Sequence, residues 1–568
     1  MTIPVLLAAA LAVAGLAAPA GAAVAPGRVW LDTGQRLPAP NVDAAGASAA
    51  VGLPDGGAVL VASERGRGVV AAQIRRDGSP DPAFGTRGVA RVAVPTLPAS
   101  DSRQIALPFG LLDVLRRPDG RLLLVGSATA RSRYELPRLV LVQLLADGSL
   151  DKAFGQGGIA VPGVQASCGG RCRLAALAPD GGIVVGGNTG SVDPSIEHDP
   201  NAPAGFQWVV ARLTPSGAPD ASFGSGGLVP IPGALGRNAG ATATALLPDG
   251  RIVAYGRGPV LPWLTRLLPD GTPDPSFHGG SPAMPPTRFG FEMLVHPETG
   301  AVDLLGDRRL LRYRPDGEQD AAIDLPAAGS QTRLLAEPDG GVLVLSGVGY
   351  GPRPLADGDL MLQRVSPDGS VDDPAGRRLG LGFGGGLATV FARLAPRPAG
   401  SLAQTGFTPA DVVRRPDGSL LVAGGIRIVR YTGEGAGFSS GLFAAASLTP
   451  ALAPDPGFGG AAVRPRVRVA VAAQHLAGVR RLKRVLVRAG TTSPGLALVR
   501  VRAGGRTVAE MLEPLFTSGR SALRVRLTRA GERLLRGRRG SLRVTVSARA
   551  RDVLGQEAVA TAGGRLLR

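Results

Sequence analysis

One short loop pattern recurs along this chain of 568 residues. It consists of an Asp, a Phe three positions later and usually a Gly directly after the Phe. Two degenerate copies, at 320–323 and 372–375, lack the Phe. The copies that keep it are PDPAFGTRG (80–88), LDKAFGQGG (150–158), PDASFGSGG (219–227), PDPSFHGG (273–280) and PDPGFGG (454–460). Such self-similarity predicts seven equivalent structural units.

A hairpin precedes each copy of the loop. In it an apolar strand meets a Pro-Asp-Gly turn and a β-branched strand leaves, because Pro fixes φ, Asp caps its own backbone and Gly accepts positive φ. Pro-Glu-Thr-Gly at 297–300 is the same turn with one inserted residue. The hairpins are VGLPDGGAVLVAS, VLRRPDGRLLLVGS, AALAPDGGIVVGGN, ALLPDGRIVAYGR, MLVHPETGAVDLLGD, LLAEPDGGVLVLSG and VVRRPDGSLLVAGG. With a third strand, a second turn and a short outer strand, each unit has the strand content of a propeller blade.

Sheets of this size must stack on their neighbours to bury both faces. We predict that the Phe packs between adjacent units and that the Asp accepts hydrogen bonds from backbone N–H groups of its own loop. Calcium binding is the alternative for residues such as Asp81 and Asp151, but each loop offers one carboxylate rather than the several oxygens calcium requires. Residues 29–38 read as an extra strand that completes the last unit and removes an exposed edge. An open solenoid of the same units is the alternative architecture.

The stretch LADGSLDKAFGQGGIA, residues 145–160, resembles the bacterial delta-60 repeat throughout. That repeat runs as aliphatic-x-x-Asp-Gly-x-aliphatic-Asp-x-x-Phe-Gly-x-x-Gly, and the resemblance extends over residues 28–460. It implies a β-propeller-like fold on an exported bacterial protein. It implies no shared catalytic residues, so none is assigned.

The N-terminus is an apolar run that ends in Ala20-Gly21-Ala22, as a signal peptide cleaved after Ala22 does. No Lys or Arg precedes Arg28, however, and an uncleaved membrane anchor is the alternative. We therefore expect a secreted or cell-surface protein.

The two cysteines, Cys168 and Cys172, lie close together in SCGGRC. An even count, short spacing and predicted export favour one disulfide across a Gly-rich loop. Two free thiols or half of a metal site are the alternatives, although a metal would need two further ligands.

From residue 461 onward the sequence alternates apolar and polar residues as half-buried strands do. VTVSARARDVLGQEA resembles the last strand pair of Ig-like modules in actinobacterial exported proteins, and LTRAGERLLRG reads as a short helix or an Arg-rich loop. Residues 461–568 contain 24 Lys and Arg against 5 Asp and Glu, whereas residues 1–460 balance at 39 each. This segregation predicts attachment to an anionic envelope polymer or lipid surface. A merely solvated strand face is the alternative, and the scarcity of aromatics argues against nucleic acid.

The sequence contains few residues of the kinds that form catalytic or metal-binding sites. The four His belong to separate units, and no metalloprotease, nucleophile-elbow or phosphate-loop motif is present. One insertion collects Asp193, Glu197, His198 and Asp199, and it reads either as a metal site or as a mobile acidic loop. We predict no catalytic, cofactor-binding or metal-binding residue.

The sequence thus predicts an all-β protein: a signal peptide (1–22), a seven-bladed β-propeller (23–460) and a small basic Ig-like β-sandwich (461–568). The expected function is that of a monomeric, non-catalytic binding or scaffold protein that presents propeller loops to a glycan or protein. The alternative is a secreted hydrolase or lyase with a site built from loops at 187–207, 348–360 and 376–410. Carboxylates and His converging on the central channel would favour that alternative.

Overall fold

The computed structural model describes most of the chain between residues 28 and 568. The described ranges are 28–31, 37–38, 49–64, 68–94, 109–128, 137–166, 172–190, 206–235, 240–257, 262–286, 290–306, 308–325, 331–347, 360–372, 377–379, 401–432, 435–459, 466–492, 495–515, 521–552 and 557–568. Nearly all regular structure in these ranges is β-strand, as the alternating sequence predicts. The predicted signal segment, residues 1–22, lies outside them.

The repeat region consists of antiparallel sheets that follow one another along the chain. Two short strands come first, β1 (Arg28–Leu31) and β2 (Leu37–Pro38). Unit 1 contains β3 (Ala49–Gly52), β4 (Ala58–Glu64), β5 (Gly68–Ile74) and β6 (Val89–Val92). Unit 2 contains β7 (Phe109–Arg116), β8 (Leu122–Ala128), β9 (Arg138–Leu144) and β10 (Ile159–Ala160). Unit 3 contains β11 (Ala175–Leu177), β12 (Ile183–Thr189), β13 (Gln207–Leu213) and β14 (Leu228–Leu235).

Within the described residues, units 5 and 6 again have four strands, whereas units 4 and 7 have three strands of their own. Unit 4 contains β15 (Gly240–Leu246), β16 (Ile252–Arg257) and β17 (Pro262–Leu267). Unit 5 contains β18 (Gly290–Val295), β19 (Val302–Gly306), β20 (Arg309–Tyr313) and β21 (Gln319–Asp324). Unit 6 contains β22 (Gln331–Ala336), β23 (Val342–Gly347), β24 (Leu360–Val365) and β25 (Arg377–Leu379), and unit 7 contains β26 (Ser401–Arg414), β27 (Leu420–Thr432) and β28 (Gly435–Leu448).

The first strands of the units face one another. Each contacts the first strand of the next unit, from β3 through β7, β11, β15, β18 and β22 to β26, and β26 contacts β3 in turn. Apolar clusters fill the spaces between neighbouring sheets. The stacking expected from two-faced apolar sheets is therefore present.

Each Phe of the repeated loop packs onto the next unit. Phe154 is 2% exposed, and a Cβ added to Gly217 of unit 3 would lie 2.8 Å from its ring. The N–H of Gly155 donates to the carbonyl of Ser216 at 2.7 Å. We call this arrangement a Phe tie. It confirms the prediction that the loop fastens one unit to the next.

Equivalent contacts recur between other units. Phe84 packs on Gly148, Phe223 on Gly271 and Phe277 beside Gly317. The N–H of Gly459, directly after Phe458, donates to the carbonyl of Asp77 at 2.7 Å and so links unit 7 to unit 1.

The Asp of the motif holds its own loop, as predicted. Asp151 Oδ1 accepts from the N–H of Ala153 at 3.1 Å, and Oδ2 accepts from Gln143 Nε2 at 2.8 Å. In unit 4 the second partner is Arg266, whose Nε donates to Asp274 Oδ2 at 2.6 Å. Burial opposes ionisation of Asp274, but hydrogen bonds from Ser276 and Arg266 outweigh it and lower its pKa to about 2.

Arginines add a second link that the sequence reasoning missed. In four units a guanidinium donates to the carbonyl of a proline in the second turn of the next unit. The donor and acceptor pairs are Arg117 with Pro215 at 3.0 Å, Arg212 with Pro269 at 3.0 Å, Arg266 with Pro315 at 2.6 Å, and Arg312 with Pro367 at 2.7 Å. In two of these units the same Arg also stacks on the Phe of the tie, Arg117 over Phe154 and Arg266 over Phe277, and in unit 7 Arg415 stacks over Phe458.

The structure describes the degenerate copy at 320–323 completely and the copy at 372–375 only in part. Ile323 takes the place of the Phe in unit 5, and a Cβ on Gly369 of unit 6 would lie 3.5 Å from its Cδ1. The aliphatic side chain thus covers the same glycine position. In the copy at 372–375, Asp372 is described, whereas Ala375 lies outside the described residues.

The N-terminal strands join the sheet of unit 7. β1 pairs antiparallel with β28, from Arg28 opposite Ala446 to Leu31 opposite Phe443, and β2 pairs with the same strand. The extra strand expected at 29–38 therefore pairs where it was predicted to. Within the described residues no helix is long and apolar enough to cross a bilayer.

Residues 466–568 form two sheets over a shared apolar core. The three-stranded sheet has the order β29 (Val467–Val471), β30 (Arg484–Thr491) and β33 (Ser521–Arg526). The four-stranded sheet has the order β32 (Arg506–Leu515), β31 (Gly495–Ala503), β34 (Leu542–Asp552) and β35 (Glu557–Leu566). Helix α1 (Leu476–Leu482) and helix α2 (Arg529–Arg536) connect strands. Thr528 caps α2 by accepting from the N–H of Gly531 at 3.0 Å, so the helical interpretation of LTRAGERLLRG is confirmed.

The Phe tie predicts a specific cost for a single methyl group. Gly217 and Gly120 have nearly equal φ, 88° and 89°, but an added Cβ would lie 2.8 Å from the Phe154 ring in the first case and 3.4 Å from Ala146 in the second. We expect Gly217→Ala to unfold at lower urea than Gly120→Ala, with about 1–3 kcal/mol of extra destabilisation from overpacking. Equal midpoints for the two variants would contradict the tie.

Candidate functional site: a charge cluster between the first strands

Five charged side chains from different units meet where the first strands converge. Asp113 lies on β7, Glu292 on β18, Arg333 on β22 and Asp411 on β26, and Arg173 directly precedes β11. All but Arg173 are buried. We call these residues the axial cluster.

The local sequence explains why these side chains share a location. Asp113, Glu292, Arg333 and Asp411 each stand five residues before the first-turn proline of their unit. The strand register shifts immediately before the three acidic residues, between Leu111 and Asp113, Gly290 and Glu292, and Pro409 and Asp411. Such bulges re-aim side chains and are common beside functional sites.

Arg333 connects two of the carboxylates. Its Nη1 lies 2.9 Å from Glu292 Oε2, and its Nε lies 3.1 Å from Asp411 Oδ1. Asp411 also accepts from the N–H of Ala50 in unit 1 at 3.1 Å. Burial disfavours the charge on Arg333, but Glu292 and Asp411 outweigh it and raise its pKa above the ordinary value. The cluster therefore joins units 1, 5, 6 and 7.

Arg173 approaches the same carboxylates from unit 3. Its Nε is 3.7 Å from Glu292 Oε1, and its Nη2 is 3.8 Å from Asp411 Oδ1. A side chain that reaches units 5 and 7 from unit 3 must cross the space between the first strands of these units. Its side chain is 39% exposed, against 4% for Glu292 and Asp411, so Arg173 is the accessible member of the cluster.

Asp113 is the member whose charge is least favoured. Burial raises its pKa from 3.8 to about 6, with Asp411 adding to the effect and Arg173 opposing it. Its Oδ1 accepts from the N–H of Val114 at 2.8 Å. Three carboxyls thus face two guanidinium groups, and the charges balance when Asp113 is protonated.

The arrangement has features of two kinds of site. Buried ions that pair across several elements hold those elements together. A carboxyl with a pKa near neutrality is also typical of acid–base sites. The Nε of Arg173 and Oε1 of Glu292 have no hydrogen-bond partner within the described parts of the chain.

The predicted site residues have other positions. Cys172 is disulfide-bonded, and Cys168 lies outside the described residues. The acidic insertion, Asp193, Glu197, His198 and Asp199, also lies outside them. Among the residues that are described, no three His, Cys, Asp or Glu are grouped so as to hold a metal.

His296, for which we predicted no chemical role, is buried beside a carboxylate. Its Nε2 lies 2.8 Å from Asp303 Oδ2, and Arg312 Nε donates to Asp303 Oδ1 at 3.0 Å. These three residues form a network within unit 5, and its Arg312 also donates to Pro367 of unit 6.

The axial cluster itself was missed from sequence. The available signal was a charged residue at one fixed position, five before the turn proline, in four of the seven first strands. Arg173, which stands six residues before Pro179, does not obey that spacing.

Comparison with known proteins supports the repeat architecture. Residues 117–154 and 247–277 match the family described as "Domain of unknown function (DUF5122) beta-propeller". Both stretches run from just before a first turn to the Phe of a tie, in units 2 and 4. The chain therefore contains a propeller-type repeat domain. No curated protein matches it.

Solved structures resemble the chain only distantly. A glucose dehydrogenase is 17% identical, with 56% of this chain and 96% of that chain covered and a TM-score of 0.31. The PQQ-bound aldose sugar dehydrogenase of Streptomyces coelicolor is 19% identical, with 58% and 97% covered and a TM-score of 0.33. The Neurospora crassa Pan2 WD40 domain is 9% identical, with 74% and 96% covered and a TM-score of 0.37. Likeness at this level carries no functional argument.

Removing the guanidinium of Arg333 should destabilise the repeat region. We expect Arg333→Met to lower the unfolding free energy by about 3–5 kcal/mol, because it leaves Glu292 and Asp411 buried without their shared partner. Arg309→Met is the control, since its pair with Asp324 is exposed and should contribute less than about 1 kcal/mol. Urea denaturation compares the two, and equal losses would contradict the cluster's role.

The raised pKa of Asp113 predicts a pH dependence. The native state takes up a proton between the unfolded value, 3.8, and about 6. Stability linked to this group is therefore full below pH 3.8 and lost as pH rises through about 6. Asp113→Asn should exceed the wild type in stability by up to about 3 kcal/mol at pH 8, with the gain shrinking towards pH 4. Thermal unfolding at both pH values measures this, and a gain that did not change with pH would contradict it.

Proposed function

We propose that this protein is an exported, non-catalytic binding or scaffold protein of the cell envelope or extracellular space. Residues 23–460 would form a closed seven-bladed β-propeller, and residues 461–568 a basic Ig-like β-sandwich. Removal of residues 1–22 would accompany export. The ligand would be a glycan or a protein that contacts the loops at one mouth of the ring.

Links at two places favour a closed ring over an open solenoid. At the tie position, the N–H of Gly459 in unit 7 donates to Asp77 of unit 1. On the axis, Asp411 of unit 7 accepts from Ala50 of unit 1. The pairing of β1 with β28 adds chain from before unit 1 to the sheet of unit 7.

The pairing of Arg333 with both Glu292 and Asp411 carries the non-catalytic assignment. Both carboxylates are held by one buried guanidinium, at 2.9 Å and 3.1 Å, and their side chains are only 4% exposed, so a substrate has little access to them. The same pairing connects three units. We therefore interpret the cluster chiefly as a structural tie, with Arg173 as the member that a ligand entering along the axis would meet.

A secreted hydrolase or lyase is the second candidate, and one observation favours it. Three carboxyls converge on the axis, and burial raises the pKa of Asp113 to about 6, in the range where a carboxyl can act as a general acid. In that case Asp113 would donate the proton, and Glu292 would be its carboxylate partner.

A glycan and cell-wall binding array, followed by product analysis, separates the candidates. We expect the mature protein, beginning at Ala23, to be retained on at least one glycan or wall polymer without releasing fragments. Released fragments that disappear in both Asp113→Asn and Glu292→Gln, with Arg309→Met still active, would replace this proposal with the enzyme. Retention on no glycan, wall polymer or envelope protein would refute binding.

A further inference from the structure

The outer face of the three-stranded sheet carries a lattice of arginines. Strand register places Arg484 opposite Arg526, Leu486 opposite Arg524 and Arg488 opposite Ala522. On the other side of β30, Ala470 lies opposite Arg488 and Arg468 lies opposite Gly490. We define the basic sheet face as these nine positions, of which five are Arg: Arg468, Arg484, Arg488, Arg524 and Arg526.

The positive charge of the basic sheet face is exposed to solvent and is not neutralised by acidic residues. All five arginines are exposed, and none of their side chains has an ion-pair or hydrogen-bond partner within the described residues. The nine positions contain no acidic residue. The opposite faces of the same strands supply core residues such as Val485, Val487 and Val525. The sheet is therefore apolar on one side and cationic on the other.

Like charges directly opposite each other destabilise a sheet. Arg484 and Arg526 are such a pair. In the four-stranded sheet of the same domain, part of the arginine charge is neutralised by acidic residues. Arg500 is ion-paired with Glu510, and Arg549 with Glu557. A general bias towards Arg would affect both sheets alike and does not explain why one lacks acidic partners.

The spacing fits several acidic groups on one extended molecule. Neighbouring strands lie about 5 Å apart, and alternate residues along a strand about 7 Å apart, so the arginines extend over roughly 10 by 14 Å. Each guanidinium can bind a carboxylate through two parallel hydrogen bonds. A single small anion would engage only part of this lattice.

The other residues of the basic sheet face limit the chemical class of its binding partner. Its non-arginine positions are Ala, Gly and the half-buried Leu486, so it offers neither aromatic rings for stacking bases nor a large apolar surface for entering a bilayer. A flat, rigid, hydrophilic cationic surface is complementary to an extended chain of acidic sugars.

We propose that the basic sheet face binds a linear acidic polysaccharide through its carboxylate groups. The proposal rests on the proposed function, because it names the polymer to which an exported protein of this kind would attach. It concerns a sheet of residues 466–568 rather than the repeat units that hold the axial cluster, and it needs no ligand at the propeller loops.

The test uses the full-length mature chain and immobilised polygalacturonate. We expect binding that weakens steeply between 50 and about 500 mM salt, as charge contacts do. The triple variant Arg484→Gln, Arg488→Gln, Arg524→Gln should bind at least about tenfold more weakly, since three exposed charge contacts are lost together. Circular dichroism and the melting temperature verify that the variant folds; relief of repulsion should leave its melting temperature unchanged or raised.

A matched control removes the same charge from the other sheet. Arg502, Arg543 and Arg565 are exposed on the four-stranded sheet, and changing all three to Gln should weaken binding less than about threefold. Equal losses in the two triple variants would overturn the proposal in favour of net charge alone. Tighter binding to a DNA duplex or to phosphatidylglycerol vesicles than to polygalacturonate, lost in the first triple variant, would overturn it in favour of that partner.

The outcomes separate the two proposals. Failure to bind polygalacturonate refutes the role of the basic sheet face and leaves a ligand of the propeller loops unaffected. Binding in vitro by a protein that cell fractionation places inside the cell supports the face as a polyanion site and refutes export.

Discussion

A four-stranded sheet that is apolar on both faces can persist in water only between two neighbours. This constraint governs the repeat region, where apolar clusters fill the space between successive sheets. It explains why the Phe, the glycine beneath it and the following N–H recur as a set: together they fix the distance and angle at which one sheet meets the next. A side chain larger than hydrogen at Gly217 would occupy the space of the Phe154 aromatic ring, and one at Gly271 the space of the Phe223 ring.

The Arg-to-Pro hydrogen bonds and the axial cluster both hold units together, but at different places. The hydrogen bond from Arg266 to Pro315 links one unit to the next in sequence. The axial cluster joins units that are distant in sequence, since Arg333 and Asp411 are separated by 78 residues and Ala50 and Asp411 by 361. Local links thus repeat with the sequence, whereas axial links do not. The arrangement distributes stability among many contacts along the repeat and adds one cluster of charges to which five units contribute.

Much of the architecture was predictable because it depends on short-range rules. The Pro-Asp-Gly turns, the Asp-x-x-Phe loops and the helix after Thr528 each follow from the properties of a few adjacent residues, and all are present. The axial cluster could not be predicted in the same way. Its members come from five units, and their meeting depends on ring geometry and on bulges before Asp113, Glu292 and Asp411 that the alternation of residues does not reveal. Arg173 reaches the cluster by the length of its side chain, from a position without a repeat equivalent.

The pairing of β1 with β28 has a consequence for the order of folding. Arg28 and its partner Ala446 are made at opposite ends of the repeat region, so the N-terminal strand has no mate until the ribosome has synthesised nearly all of it. Intermediate units can stack as they appear, but bringing the two ends together carries the entropy of a very long loop. We therefore expect the final pairing of β1 with β28 to be the slow step of folding.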